Sequence, residues 1–347
     1  MRLLAGTAEG RLVPTLAAEG GLDSVLWAGP ENFSDGMRAG VEPVQGTLRK
    51  NPVALKLGFS GEPFSYCLDL GLPKPSSSMF HRDPEMKREC LWRGIAMDAK
   101  SLCADRSRGG LRCRSEKGRW QDIEIRLPGQ SSMLAEYLDP YCAPEIIVAK
   151  ALLRSWRFYD SFRTDSGAPA RQTSPGTFTP VLSDDGVDFA AALQTIREIG
   201  RCEELDMLVD SAFPGTEVSI ENTTAGIQLS LLQPGMLREL TVAELSDGTL
   251  RYLLLAAALL SPRPPTLLVL NEPENSLHPD IIPALGQLII HASQHSQVIV
   301  VTHSRALQAI LAEHEDCRTH RLIKELGETK LEDAETLDQL SWKWPSR

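Results

Sequence analysis

Residues 266–274 read Thr-Leu-Leu-Val-Leu-Asn-Glu-Pro-Glu, and residues 298–303 read Val-Ile-Val-Val-Thr-His. Each stretch is a short apolar run that ends in polar residues, as is typical of a buried strand in a parallel sheet. Helices are predicted from about Asp280, between the two strands, and also from about Thr249 and from Arg305. Strands that alternate with helices indicate an α/β fold with a mainly parallel sheet and flanking helices.

The polar residues at the ends of these two strands are candidates for chemistry, because ligands of parallel α/β sheets bind at the carboxyl ends of the strands. Glu272 is the candidate for a carboxylate that orients or deprotonates a water beside a phosphate site. His303 is the candidate for contacting a γ-phosphate or positioning that water. For each residue alone, a structural role at a strand end is the alternative. The ordered pair favours the catalytic interpretation.

Ser246, Asp247 and Gly248 come just before a long apolar helix. A hydroxyl group, a glycine N–H and a helix N-terminus together form a surface that favours anions. For this tripeptide alone, an ordinary helix N-cap is the favoured interpretation. The downstream strand that ends in Glu272 shifts the balance towards anion binding.

These motifs, in this order, resemble the signature loop, the hydrolytic strand end and the switch histidine of an ABC-type ATPase head. The resemblance is to the RecF/SMC-like group, specifically to bacterial AAA-type ATP-binding protein families. The motifs cover residues 244–304, and a looser similarity extends over the chain. The resemblance implies a P-loop NTPase-like fold, ATP and Mg²⁺ as ligands, and two heads that close around two ATP molecules and open on hydrolysis.

The same resemblance implies a role for each motif residue. Ser246, Asp247 and Gly248 would bind the γ-phosphate held by a second protomer. Glu272 would be the catalytic carboxylate and His303 the switch histidine. The loop that crosses the dimer interface would consist of Asn275, Ser276, Leu277 and His278, followed by Pro279.

Two departures from the family pattern matter. Asn271 stands where the family usually has an Asp that helps to hold Mg²⁺, and it keeps an oxygen acceptor but lacks the charge. No Gly-x-x-x-x-Gly-Lys-Ser/Thr phosphate loop occurs in the 347 residues, although its backbone N–H groups and Lys normally cradle the β- and γ-phosphates. Because residues 1–20 read like a continuing helix, we expect this loop on a strand–loop–helix unit of roughly 30 residues ahead of Met1.

Composition excludes some classes of protein. A formal net charge of −10 argues against a chain that coats nucleic acid or an anionic membrane. Seven scattered cysteines without a Cys-x-x-Cys pair favour reduced thiols over a disulfide framework. The chain has neither a signal-peptide pattern nor an apolar run long enough for a membrane span, so a cytoplasmic protein without a membrane partner is expected.

The N-terminal half predicts a different architecture. Short apolar runs at 24–27, 53–59, 64–70 and 120–127 alternate with Gly- and Pro-bearing turns, which favours an antiparallel sheet. We therefore predict three parts. They are an incomplete N-terminal lobe with an antiparallel β-subdomain (1–143), a helical insertion with a loop (144–217) and a C-terminal ATPase lobe (218–347).

Two weaker patterns have ordinary alternatives. Residues 81–126 carry 12 Lys and Arg against 8 Asp and Glu, and within them Arg112 and Arg114 are candidates for contacts to DNA phosphates. A solvated charged face is the alternative. His291 and His295 lie four apart on a predicted helix and fit two ligands of a metal, although a half-buried helix face explains them equally well.

The sequence thus leaves three functions open. The first is an ATP-hydrolysing homodimer coupled to DNA or to an unidentified protein effector. The second is a nucleotide-sensing or interaction protein that does not hydrolyse ATP, favoured by Asn271 and the missing phosphate loop. The third is a DNA-binding effector subunit that uses residues 81–126.

Overall fold

The computed structural model describes residues 1–46, 52–75, 77–115, 117–160, 162–199, 201–332 and 342–347. They form two compact units, of which the first comprises Met1–Arg154 with His320–Arg347 and the second comprises Ser155–Thr319. The predicted three-part division at 143/144 and 217/218 stays a prediction.

The first unit contains a six-stranded antiparallel sheet in which each strand pairs with its neighbours in the chain. Its strands are β1 (Leu55–Phe59), β2 (Phe64–Gly71), β3 (Glu85–Arg93), β4 (Leu102–Ser107), β5 (Gly110–Arg114) and β6 (Trp120–Arg126). Its helices are α1 (Arg2–Ala8), α2 (Leu12–Ala18), α3 (Leu22–Val25), α4 (Asp35–Arg38), α5 (Met133–Glu136) and α6 (Pro144–Ser155, whose last residue belongs to the second unit). An antiparallel hairpin of Leu322–Glu325 and Glu328–Leu331 also belongs here.

The last residues of the chain dock on this sheet. The ring of Trp342 lies 4.9 Å from that of Trp92 and 4.5 Å from that of Trp344, centroid to centroid. The guanidinium of Arg347 donates to both carboxylate oxygens of Asp69, at 2.6 and 2.7 Å, and Asp69 is only 3% exposed. A buried carboxylate needs such a partner, so the tail is part of the core of this unit.

The second unit contains a three-stranded parallel sheet with β11 in its centre and a three-stranded antiparallel sheet with β9 in its centre. The strands are β7 (Arg157–Tyr159), β8 (Glu217–Thr223), β9 (Gly226–Leu232), β10 (Leu240–Thr241), β11 (Leu267–Asn271) and β12 (Gln297–Val301). The helices are α7 (Phe189–Glu198), α8 (Cys202–Ala212), α9 (Asp247–Leu259), α10 (Ile282–Ser293) and α11 (Arg305–Ala312). Single 3-10 turns lie at Pro169–Arg171, Val242–Glu244 and Pro279–Ile281.

Helix α9 is the centre of the second unit. Every residue from Thr249 to Leu259 is buried, and these residues contribute to the large apolar cluster of this unit. A helix that is apolar on all sides is stable only when it is surrounded by other elements. The start of α9, where Ser246, Asp247 and Gly248 lie, is therefore held by the core behind it.

The predicted α/β fold, with a parallel sheet, an antiparallel β-subdomain and added helices, is confirmed. The strand predicted at 24–27 is wrong, because helix α3 occupies Leu22–Val25. In the described ranges, no helix is both long and apolar enough to cross a membrane.

Candidate functional site

The ends of β11 and β12 lie side by side in the parallel sheet. Asn271 is in register with Val301, and the backbone N–H of Glu272 donates to the carbonyl of Val301 at 2.7 Å. Glu272 has a φ of 46°, a left-handed conformation that is uncommon for a residue with a side chain. The backbone thus turns sharply at the residue that the sequence predicts to be catalytic.

Glu272 and His303 come together at this edge of the sheet. Oε1 of Glu272 lies 3.5 Å from Nε2 of His303, and Oε2 accepts a hydrogen bond from Nδ2 of Asn275 at 2.5 Å. The side chain of Glu272 is 36% exposed and that of His303 is 87% exposed, so both are accessible to a ligand. A carboxylate with free lone pairs beside an accessible imidazole is suited to orienting a water and taking its proton.

Glu274 belongs to the same cluster, although none of the sequence motifs predicts a role for it. Its Oε1 accepts hydrogen bonds from Thr302 Oγ1 at 2.5 Å, from the His303 N–H at 3.2 Å and from the Ser304 N–H at 3.1 Å. One carboxylate oxygen therefore holds the turn that follows β12. One feature of the sequence points to this contact. Glu274 follows one predicted strand, and the polar residues 302–304 follow the next.

Ser246 caps helix α9. Its Oγ accepts from the Thr249 N–H at 3.1 Å and lies 2.8 Å from Thr249 Oγ1. Ser246 therefore is the N-cap of α9, as the alternative interpretation of the tripeptide predicts. This cap does not exclude anion binding, because the first N–H groups of any helix have no partner within the helix.

Asp247 is paired with Arg171, which belongs to none of the sequence motifs. The guanidinium donates to Asp247 Oδ1 at 2.8 Å and to the carbonyls of Val242 and Leu245 at 2.9 and 2.8 Å. Only 8% of the Arg171 side chain is exposed, against 60% for Asp247. A buried arginine thus fixes the segment that leads into the start of α9 and offsets the charge of Asp247.

Gly248 lies directly against the loop that follows Glu272. A Cβ atom at position 248 would lie 2.8 Å from the backbone oxygen of Ser276, closer than real Cβ contacts. Ser276 itself has a φ of 65°. Only glycine therefore allows the start of α9 and this loop to approach so closely.

Gly248→Ala is expected to lower the free energy of unfolding by about 1–3 kcal/mol, because the backbone at Ser276 has to shift. Urea unfolding of the purified variant measures it. Gly61→Ala is the control, since its new Cβ meets open space. Equal stability of the two variants would contradict the close approach.

Arg251 links α9 to the turn at Glu272. It is 7% exposed, and its NH2 group donates to the backbone carbonyl of Glu272 at 3.2 Å. Burial lowers the pKa of the Arg251 guanidinium, and the nearby carboxylates of Glu274 and Glu272 act in the opposite direction. Helix α9, which begins at Ser246, Asp247 and Gly248 (the signature tripeptide), is thus in direct contact with the turn at Glu272.

The predicted interface loop lies at the surface. Asn275, Ser276 and His278 are exposed, and Leu277 is half-buried. The Asn275 N–H donates to the carbonyl of Glu272 at 3.1 Å, and His278 Nδ1 accepts from the Asp280 N–H at 3.3 Å. An exposed loop with a backbone fixed by such bonds is available for a partner, and its interface role stays a prediction.

Asn271 is exposed at the end of β11 and offers one neutral oxygen. Within the described part of the chain, no three His, Cys, Asp or Glu side chains form a metal cluster. Magnesium in nucleotide sites is usually held by one or two carboxylates together with phosphate oxygens. The residues here do not by themselves fit a magnesium site, and the phosphates of a nucleotide would have to supply most ligands.

Among the residues that the structure describes, His291 and His295 do not belong to a group of three side chains that could hold a metal. Their rings are 6.4 Å apart, and Nε2 of His291 lies 3.2 Å from Glu204 Oε2. His291 lies on α10, and Glu204 lies on α8. A contact between two packed helices accounts for His291.

The basic stretch 81–126 uses several of its charges internally, and its Glu116 lies outside the described residues. Arg106 is 1% exposed and pairs with the buried Glu89. Arg112 donates to buried Asp105 at 2.5 and 3.0 Å, and Arg114 donates to the carbonyls of residues 99 and 100. Both of these arginines also stack on Trp120. DNA contact through Arg112 and Arg114 stays a prediction, with fewer free charges than the sequence suggests.

Comparison with known proteins gives a family and a set of similar folds. The family model described as "AAA domain, putative AbiEii toxin, Type IV TA system" matches residues 12–307. No curated protein matches the chain. An Smc head domain with an extended coiled coil from Pyrococcus furiosus, bound to the C-terminal domain of ScpA, is 11% identical; the match covers 95% of this chain and 85% of that chain, with a TM-score of 0.43. The SMC head domain from Thermotoga maritima is 15% identical over 78% of this chain and 73% of that one, with a TM-score of 0.32.

The family match spans both the antiparallel and the parallel sheet and includes the signature tripeptide, Glu272 and His303. An AAA-type ATPase domain supports nucleotide binding, whereas the RecF/SMC-like subgroup is a narrower assignment than this match makes. The chain belongs to the family described as AAA domain, putative AbiEii toxin, Type IV TA system.

Proposed function

We propose that this protein is an ATP-hydrolysing head of the RecF/SMC-like ABC type that acts as a homodimer. ATP-driven closure of the dimer would be coupled to DNA or to a protein effector. The observation that carries the proposal is the meeting of Glu272 and His303, 3.5 Å apart at adjacent strand ends. The start of α9 contributes the signature tripeptide and packs against the loop after Glu272.

In the proposed reaction, Glu272 orients a water and takes up its proton. The water oxygen attacks the γ-phosphorus of ATP, and the bond from that phosphorus to the β–γ bridging oxygen breaks with its electron pair leaving on ADP. The proton passes from Glu272 to solvent, so that ADP and inorganic phosphate are the products. His303, which is open to solvent, would donate a hydrogen bond to a γ-phosphate oxygen.

The tripeptide Ser246, Asp247 and Gly248 would contact the γ-phosphate of an ATP held by the second copy. Its exposure and its place at the N-terminus of a 13-residue helix support this role. Arg171 supports it as well, because it offsets the charge of Asp247 that would otherwise repel a phosphate.

The reaction also requires a phosphate loop, which is absent from the 347 residues. In the described part of the chain, β12 is an edge strand of the parallel sheet. Its residues Val298, Ile299 and Val300 are apolar but only half-buried. An open apolar edge favours pairing with a further strand. A strand that carries a phosphate loop could pair at this edge.

The concentration dependence of turnover tests the proposal. Phosphate release by the full-length protein is measured at saturating ATP over a wide range of protein concentrations. A site shared by two copies predicts that activity per molecule rises with concentration and then levels off. Activity per molecule that is independent of concentration would contradict the homodimer.

A non-hydrolysing nucleotide sensor remains the second candidate, favoured by the neutral Asn271 at the end of β11. It predicts ATP binding without phosphate release at any protein concentration. The same titration, with labelled ATP to measure binding, separates the two functions.

A further inference from the structure

We infer that Glu274 is a positioning residue of this site, which holds the turn carrying His303 so that the imidazole lies against the carboxylate of Glu272. The inference rests on the proposed function and assigns a role to a residue for which the motifs predict none.

The contacts of Glu274 are concentrated on that turn. Its Oε1 accepts hydrogen bonds from three consecutive residues, namely from the Thr302 hydroxyl, the His303 N–H and the Ser304 N–H. Hydrogen bonds to an ionised carboxylate are shorter and stronger than those between neutral groups. Glu274, which lies three residues beyond the end of β11, thus holds the turn between β12 and α11 together with the hydroxyl of Thr302.

The turn depends on this side chain because regular pairing ends just before it. Val301 is the last residue of β12 that pairs with β11, and Ser304 is the N-cap of α11, whose Oγ accepts from the Leu307 N–H at 3.2 Å. A backbone N–H group between the end of a strand and the start of a helix needs another acceptor. Glu274 is that acceptor for His303, and it shares the Ser304 N–H with Thr302 Oγ1, which accepts from it at 2.9 Å.

The side chain of His303 cannot hold its own position by packing. It is 87% exposed, and its contact with a side chain is the 3.5 Å approach to Glu272. The backbone of the turn therefore determines where the imidazole lies. A shift of about 1 Å at a reacting group can reduce a rate by about 10²-fold.

The second oxygen of Glu274 extends the link to α9. Oε2 is buried and has no hydrogen-bond partner among the described residues, and the same holds for Nε of the buried Arg251. The two residues are close enough for Glu274 to act on the pKa of Arg251. Glu274 thus lies near the helix that begins at Ser246, while its other oxygen holds the His303 turn.

A purely structural role for Glu274, as an anchor for α11, is the alternative. The two roles differ in one respect. A residue that acts through His303 has no effect on turnover once the imidazole is absent, whereas a structural anchor has the same effect with or without it.

The experiment is a double-mutant cycle on ATP hydrolysis by the full-length protein, with Glu274→Ala, His303→Ala and the double variant. We expect Glu274→Ala to lower kcat by about 10- to 100-fold, with KM for ATP changed by less than about 2-fold. In the His303→Ala background, we expect it to lower kcat by less than about 2-fold. Glu274→Gln, which retains one acceptor oxygen, should recover part of the loss.

Amide hydrogen exchange provides a readout that does not need activity. Glu274→Ala should raise the exchange rate of the His303 amide relative to those of β11, and that of the Ser304 amide to a smaller extent, because Ser304 keeps Thr302 Oγ1 as an acceptor. If Glu274→Ala does not fold, Thr302→Val is the second variant. It removes one donor to Glu274 Oε1 and also the acceptor that Thr302 Oγ1 offers to the Ser304 N–H, so its readout is the His303 amide, whose exchange should rise to a smaller extent.

Equal losses of kcat in both backgrounds, or unchanged exchange at His303 and Ser304, would overturn the inference. A wild-type protein that does not hydrolyse ATP would instead remove the proposed function, and this inference with it. The wild-type protein hydrolyses ATP if only this inference fails, and it does not if the proposed function fails, so the two failures are distinguishable.

Discussion

Glu272→Gln is expected to lower the rate of ATP hydrolysis by about 10²- to 10⁴-fold while ATP-dependent self-association persists. The amide has nearly the same shape as the carboxylate and can still accept the hydrogen bond from Asn275. It cannot take a proton from water. Phosphate release measures the loss of turnover, and light scattering with and without ATP measures association.

Glu313→Gln is the matched control for this experiment. Glu313 is an exposed carboxylate at the end of α11, outside the cluster at the strand ends. Its variant should retain wild-type turnover. If Glu272→Gln turns over ATP at a rate close to that of the control, Glu272 is not the residue that takes the proton from water, even though it lies at the end of β11.

Ser246→Asp is expected to reduce ATP-dependent association by at least about 10- to 100-fold without unfolding the chain. Asp caps a helix about as well as Ser, so the start of α9 should keep its hydrogen bond to the Thr249 N–H. The new carboxylate, next to Asp247, would repel the γ-phosphate, and an unfavourable like-charge contact in an interface costs several kcal/mol. Thermal melting reports the fold, and light scattering reports the association.

Ser246→Asn separates charge from capping. Asn is also a good N-cap but carries no charge. It should associate with ATP much more readily than Ser246→Asp at a similar melting temperature. Equal association of the Asp and Asn variants would show that no anion approaches this helix start.

The sequence predicts the central part of the site well, because that part follows from local patterns. Two apolar strands separated by a helix favour neighbouring positions in a parallel sheet, and their carboxyl ends then lie at one edge. Glu272 and His303 follow these strands directly, so their meeting at 3.5 Å is the expected consequence. Helix α9 is equally predictable from its apolar run and its N-cap serine.

Residues whose partners lie far along the chain could not be predicted from the sequence. Arg171 contacts carbonyls and a carboxylate 71 to 76 residues away, and Arg251 contacts the backbone 21 residues away. No periodicity encodes such contacts. The antiparallel sheet shows the same limit, since Arg112 looks free in the sequence but is paired with the buried Asp105.

The central claim is that each hydrolytic site is shared between two copies of this protein, with Glu272 from one and Ser246 from the other. The most direct test mixes Glu272→Gln with Ser246→Asp, each of which is expected to be strongly impaired alone. Each mixed dimer contains one intact site. At most half of the dimers are mixed, because Ser246→Asp weakens association, so activity should rise above that of the separate variants, up to about a quarter of wild type. Activity that stays at the level of the separate variants would contradict the shared site.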